Sequence, residues 1–89
     1  MSQEISKEMN LRQRRDHIKK NGLQSIIWVD KDRMSGYPCF RGTRVTPDVF
    51  FGYLDSGTTL EEFAASFHWV PLEFLKEALR LREKIMPML

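Results

Sequence analysis

Apolar positions along the chain follow two regimes. Over residues 25–29 they run almost without interruption as Ser25-Ile26-Ile27-Trp28-Val29, between Asn21-Gly22 on one side and Asp30-Lys31-Asp32 on the other. A β-branched and aromatic run bounded by turn residues predicts a short strand. So short a strand must pair with something: with Pro38-Cys39-Phe40 beyond the Met34-Ser35-Gly36 turn, with the same strand of a second copy, or with another protein. A homodimer joined through this strand region is therefore expected.

From Thr46 onward the period becomes helical. Thr46 is placed to cap a first helix with Pro47 at its first position, and Val49, Phe50, Tyr53 and Leu54 share one face until Gly57 ends it. Thr58 or Thr59 opens a second helix, with Glu61 or Glu62 completing a capping box and Leu60, Phe63, Ala64 and Phe67 forming the apolar stripe. Pro71 starts a third, whose buried face is expected to be Leu72, Leu75, Leu79 and Ile85, flanked by Phe74, Ala78 and Leu81, with Pro87 as the stop. Helices of roughly ten, nine and sixteen residues with tight connections can bury one another's stripes, and a short helix turning into a longer one is the helix-turn-helix outline. The fold class predicted is mainly α: a three-helix unit over residues 46–86, preceded by a short strand or hairpin and a loop over residues 23–45.

Residues 1–22 differ from this pattern. Their apolar spacing is weak (Ile5, Met9, Ile18) and they carry a net charge of +3, so they read as a basic arm, helical or disordered. Residues 23–45 carry +2, residues 46–69 carry −4 with no basic residue, and the remainder +1. Such a layout suggests two different contact surfaces. At 89 residues, 42% hydrophobic and 29% charged, the chain has room for one core, so residues 23–89 are expected to form a single domain.

Composition narrows the setting. The single cysteine, Cys39, cannot close an intrachain disulfide, and the opening MSQEISKEMN has neither the cationic start nor the apolar run of a signal peptide, so a reducing cytoplasm is expected. No apolar stretch approaches the ~20 residues that span a bilayer. Catalysis has little to work with. Cys39 has no patterned histidine partner, since His17 falls in the arm and His68 in a helix turn, and no Gly-rich phosphate loop, acidic metal cluster or Gly-x-Ser-x-Gly turn occurs. Neither an enzyme nor a metal or cofactor site is expected.

The run Gly36-Tyr37-Pro38-Cys39-Phe40-Arg41-Gly42-Thr43-Arg44-Val45, then Leu54-Asp55-Ser56-Gly57-Thr58-Thr59-Leu60-Glu61-Glu62-Phe63, and finally Glu77-Ala78-Leu79, resembles the "domain of unknown function 433" family. That resemblance implies a homeodomain-like DNA-binding fold. It also implies an antitoxin-like role: repression of the chain's own operon and neutralisation of a PIN-like nuclease toxin.

Candidate contact residues follow from charge and placement. In Arg41-Gly42-Thr43-Arg44, Gly42 permits a sharp turn, Thr43 can satisfy local backbone donors, and the two guanidinium forks suit phosphate or carboxylate; equally, either arginine can pair with Asp48, Asp55 or Glu61 and lock the loop. On the third helix, Lys76 and Arg80 lie four apart and can meet DNA, or pair with Glu73 and Glu77 instead. The expected contacts to double-stranded operator DNA are Arg14, Arg15, Arg44, Lys76 and Arg80, and those to a protein partner Trp28, Arg41, Gly42 and Thr43, with a packing role for Trp28 as the plainer alternative. A protein-interaction module that binds no DNA is the rival function for the same fold.

Overall fold

A computed structural model describes residues 9–89. Residues 1–8 of the basic arm lie outside the described residues. The described part is mainly helical, with one two-stranded hairpin: α1 (Leu11–Lys20), β1 (Ile27–Trp28), β2 (Cys39–Phe40), α2 (Pro47–Asp55), α3 (Leu60–Ser66), α4 (Leu72–Arg80) and α5 (Arg82–Ile85). Single 3-10 turns occupy Met34–Gly36 and Met86–Met88.

Of the segment with weak apolar spacing, residues 11–20 form α1. A capping box starts it, because the Asn10 side chain accepts from the Gln13 N–H while the Gln13 side chain accepts from the Asn10 N–H. Ile18 on α1 then enters the core beside Leu23, Ile26 and Ile27. The helix packs with the rest of the chain instead of standing apart from it.

Of the three partners open to the strand, the chain's own Cys39–Phe40 segment takes the place. The strands are antiparallel, with Ile27 opposite Phe40 and Trp28 opposite Cys39. The link between them makes a left-handed turn through Met34 (φ 56°) and Ser35 (φ 54°) to Gly36 (φ 80°). A side chain at Gly36 would come within 3.2 Å of Leu11 Cδ1, so glycine lets α1 lie close over this turn.

Aromatic packing joins the hairpin to the helices. Phe40 meets Phe50 of α2 edge-on at 5.9 Å, Phe50 meets Phe63 of α3 at 4.9 Å, and Phe63 stacks on Phe67 at 4.2 Å. On α2 the buried residues are Pro47, Phe50 and Phe51, whereas Val49 and Tyr53, expected on the inner face, are largely exposed. Tyr53 instead lays its ring against Phe63 and Phe67 from outside. Thr46 caps α2 by backbone conformation alone, without a side-chain hydrogen bond, while Thr59 and Glu62 complete the capping box expected for α3.

The expected long third helix is broken. α4 ends at Arg80, Leu81 departs from helical geometry (φ −105°, ψ 19°), and α5 restarts at Arg82 before Pro87 ends the helical run. The bend turns Ile85 and Met88 into the core, where both are almost fully buried. Before the bend, the inner side of α4 is narrower than expected. Leu75 and Ala78 are buried, but Leu72 (41% exposed) and Leu79 (39% exposed), both expected in the core, face outward.

Candidate nucleic-acid interface

Neighbouring arginines on α1 have opposite fates, because successive helical residues are about 100° apart around the axis. Arg14 is 8% exposed. Its Nε donates to the Met88 carbonyl and its Nη1 to the Gly36 carbonyl, both at 3.2 Å, and its guanidinium lies 5.0 Å from the Tyr37 ring centre. Arg14, expected at phosphate, is buried instead, and its side chain ties α1 to the strand-linking turn and to the C-terminal segment. His17 and the Lys84 carbonyl make a second tie between α1 and that end.

Arg15 points the other way. With Lys19 one turn on, and with Ile18, Gln24, Ile27, Trp28, Val29 and Arg41, it lines an open cleft of about 290 Å³ between α1 and β1. The floor is apolar and aromatic, and its charged lining residues are all cations. Asp16 is exposed on the same helix but does not line the cleft. Among the described residues only two ion pairs form, Arg80–Glu77 and Arg82–Asp55, so neither Arg15, Lys19 nor Arg41 is neutralised by a described carboxylate.

The loop after β2 holds Arg41 at this cleft. The Arg41 N–H donates to the Ile26 carbonyl at 2.7 Å, fixing its backbone to the neighbouring strand. Gly42 (φ 80°) supplies the reversal, and Thr43 closes it: its hydroxyl donates to the Phe40 carbonyl and accepts from the Val45 N–H. Trp28 is half-buried, donates from its indole Nε1 to the Thr43 carbonyl, and carries the guanidinium groups of Arg33 (4.9 Å from the ring centre) and Arg41 (6.0 Å) over its ring. Gly42 and buried Thr43 therefore shape the loop, while Trp28 and Arg41 present themselves at its surface.

Arg44 is exposed on the same loop, and the expected pairing of Arg41 or Arg44 with Asp48, Asp55 or Glu61 does not form; Asp55 is taken by Arg82 at 2.7 Å. That contact holds the Asp55 carboxyl below its usual range through the Arg82 hydrogen bond. On α4, Arg80 forks onto both oxygens of Glu77 at 2.6 and 3.0 Å, leaving its guanidinium occupied, whereas Lys76 is exposed and in no described ion pair. Arg15, Arg41 and Trp28, expected at different partners, are brought together; Lys76 and Arg80 sit on a separate helix. Lys19 and Arg33 were missed. Lys19 follows Arg15 by four on a helix, which would mark it once the arm is read as helical.

Burial pushes the Cys39 thiol above its ordinary value, with Arg33 lowering and Asp48 raising it to smaller extents. A buried, protonated thiol is a weak nucleophile. Among the described residues no helix is long and apolar enough to cross a membrane, and no group of three or more His, Cys, Asp or Glu is placed to hold a metal.

No curated protein and no solved structure matches the chain. A family model described as "Protein of unknown function (DUF433)" matches residues 27–81, from the first strand through the break after α4. That match covers more than half of the sequence and takes in the hairpin, the Arg-Gly-Thr-Arg loop and the three helices after it, so the chain belongs to the DUF433 family.

Proposed function

We propose that the chain is a non-catalytic, antitoxin-like regulator of the cytoplasm: a homeodomain-like, helix-turn-helix unit that binds duplex operator DNA, represses its own operon and neutralises a PIN-like nuclease toxin. One observation carries the DNA-binding part: Arg15, Lys19 and Arg41 gather around one cleft without a carboxylate among its lining residues. Cations left without carboxylate partners gain most from phosphate, and Arg12 on α1 and Arg44 on the loop after β2 are exposed as well. The contact is assigned to α1 and the loop after β2, as a basic N-terminal segment contacts DNA in homeodomains. α4 is the weaker candidate, because Glu77 already occupies Arg80.

The test is binding to a labelled duplex from the chain's own upstream region, against an unrelated duplex. Arg15→Glu, Lys19→Glu and Arg41→Glu should each lower affinity by about tenfold, since each removes one phosphate contact and adds a repulsion. All three residues are exposed, so thermal melting should hardly change and loss of binding will not reflect unfolding. Binding that is absent, or indifferent to all three changes, favours the protein-interaction module. That second reading is supported by a separate feature, the large apolar side chains left bare around α4.

A further inference from the structure

The cleft between α1 and β1 offers more than a phosphate uses. A nucleic-acid backbone presents oxygens, and exposed Arg15, Lys19 and Arg41 answer those. Trp28 and Val29 line the same cleft and are only half-buried, so apolar surface there stays open to solvent, and phosphate gains nothing from it. The indole Nε1–H of Trp28 is already spent on the Thr43 carbonyl, which leaves its ring as what a ligand meets. Arg41 is held over that ring, 6.0 Å from its centre, and its backbone is fixed to Ile26, so the guanidinium is placed before any ligand arrives. The cleft measures about 290 Å³, roughly twice the ~150 Å³ that encloses one benzene. That is room for a single ring with a short acidic group.

We propose that this cleft binds a small aromatic acid, a single ring carrying a carboxylate or phosphate group. The ring rests against Trp28 and Val29, while the anionic group meets the cations that share the cleft with them. Gln24, exposed at the same place, has an amide to donate to an oxygen the cations leave over. Charge selects this class of ligand. With three cations and no carboxylate in the lining, a cationic ligand is repelled and a neutral ring leaves the cations unanswered. A bare anion, in turn, leaves the apolar surface wet. The site needs no nucleic acid to form. Where the duplex is bound as proposed above, acid and duplex compete for Arg15, Lys19 and Arg41, so the acid releases the duplex; that consequence rests on the DNA reading.

Titration of the isotope-labelled full chain with phenylacetate and with phenyl phosphate, at low salt and without DNA, tests the site by two-dimensional NMR. The tighter of the two should bind with a dissociation constant of about 0.5 mM or below, and its identity tells which acidic group the cleft prefers. It should shift the Trp28 indole N–H and the backbone signals of Gln24 and Val29, and leave those of α4 in place. Phenylacetamide, which keeps the ring without the charge, and acetate, which keeps the charge without the ring, should each bind at least about tenfold more weakly. Arg15→Met and Arg41→Met should each weaken the acid by about tenfold, with the rest of the spectrum unchanged because both side chains are exposed. Binding of neither acid, an amide as tight as the acid, or shifts that map away from α1 and β1 overturns the inference. So does a duplex whose binding needs Arg41 and yet persists at saturating acid. A chain that binds the acid but no duplex upholds the site and overturns the DNA reading alone.

Discussion

Arg14 and Arg15 are the same residue type side by side, yet one holds the fold and the other faces solvent. Arg14 reaches the Met88 and Gly36 carbonyls, which belong to segments far apart in sequence, so its loss leaves two carbonyls without a donor. Replacing Arg14 by Met keeps the apolar stem but not the donors, and should cost about 2–3 kcal/mol. Arg15→Met should change stability by less than about 0.5 kcal/mol. Urea denaturation of the two variants measures this directly, and equal midpoints would contradict the assigned role of Arg14. Sequence alone did not separate the two because nothing in residues 11–20 fixes which side of α1 meets the core. Ile18 does so only once Leu23, Ile26 and Ile27 are known to lie beneath it. The same holds for the site. Arg15 and Arg41 were legible as cations open to a partner, and Trp28 as a partner contact beside its plainer packing role, but their convergence depends on how α1 crosses the hairpin.

Local signals were legible at the scale of elements, while signals that depend on packing were not. The Thr59–Glu62 capping box needs only residues three apart, and it forms with bonds of 3.0 and 2.9 Å. Because α3 has only seven residues, it depends on that cap more than a long helix would. Thr59→Ala should cost about 1 kcal/mol, lowering the melting temperature of a chain of this size by about 4–8 °C, whereas Thr59→Ser should be close to neutral. Calorimetry that finds the alanine variant as stable as the parent would show the cap to be dispensable. The third helix illustrates the opposite case. Leu72, Leu75, Leu79 and Ile85 were expected to share one stripe of a straight helix, but the helix breaks at Leu81 and only Leu75 and Ile85 of the four are buried. The inner side of α4 runs through Leu75 and Ala78, which leaves Leu72 and Leu79 at its exposed edge; which edge of an apolar stripe meets the core depends on how α4 packs on the rest of the chain, and periodicity alone does not give that.

Taken as a whole, the molecule separates a cationic cleft bounded by α1 and the loop after β2 from the exposed apolar side chains around α4 and α5. α1 is tied to the C-terminal segment by Arg14 and His17, so the two surfaces belong to one packed body. If the duplex lies on this cleft, Arg15, Lys19 and Arg41 supply about three phosphate neutralisations, for which the logarithm of the binding constant should fall with the logarithm of salt concentration at a slope near −3. Fluorescence anisotropy across a salt series therefore counts the contacts the cleft makes. Arg41→Ala should bring the slope to near −2, and Arg80→Ala, whose guanidinium is already held by Glu77, should leave it unchanged. A slope indifferent to Arg41→Ala would mean that the duplex is held elsewhere than at the cleft.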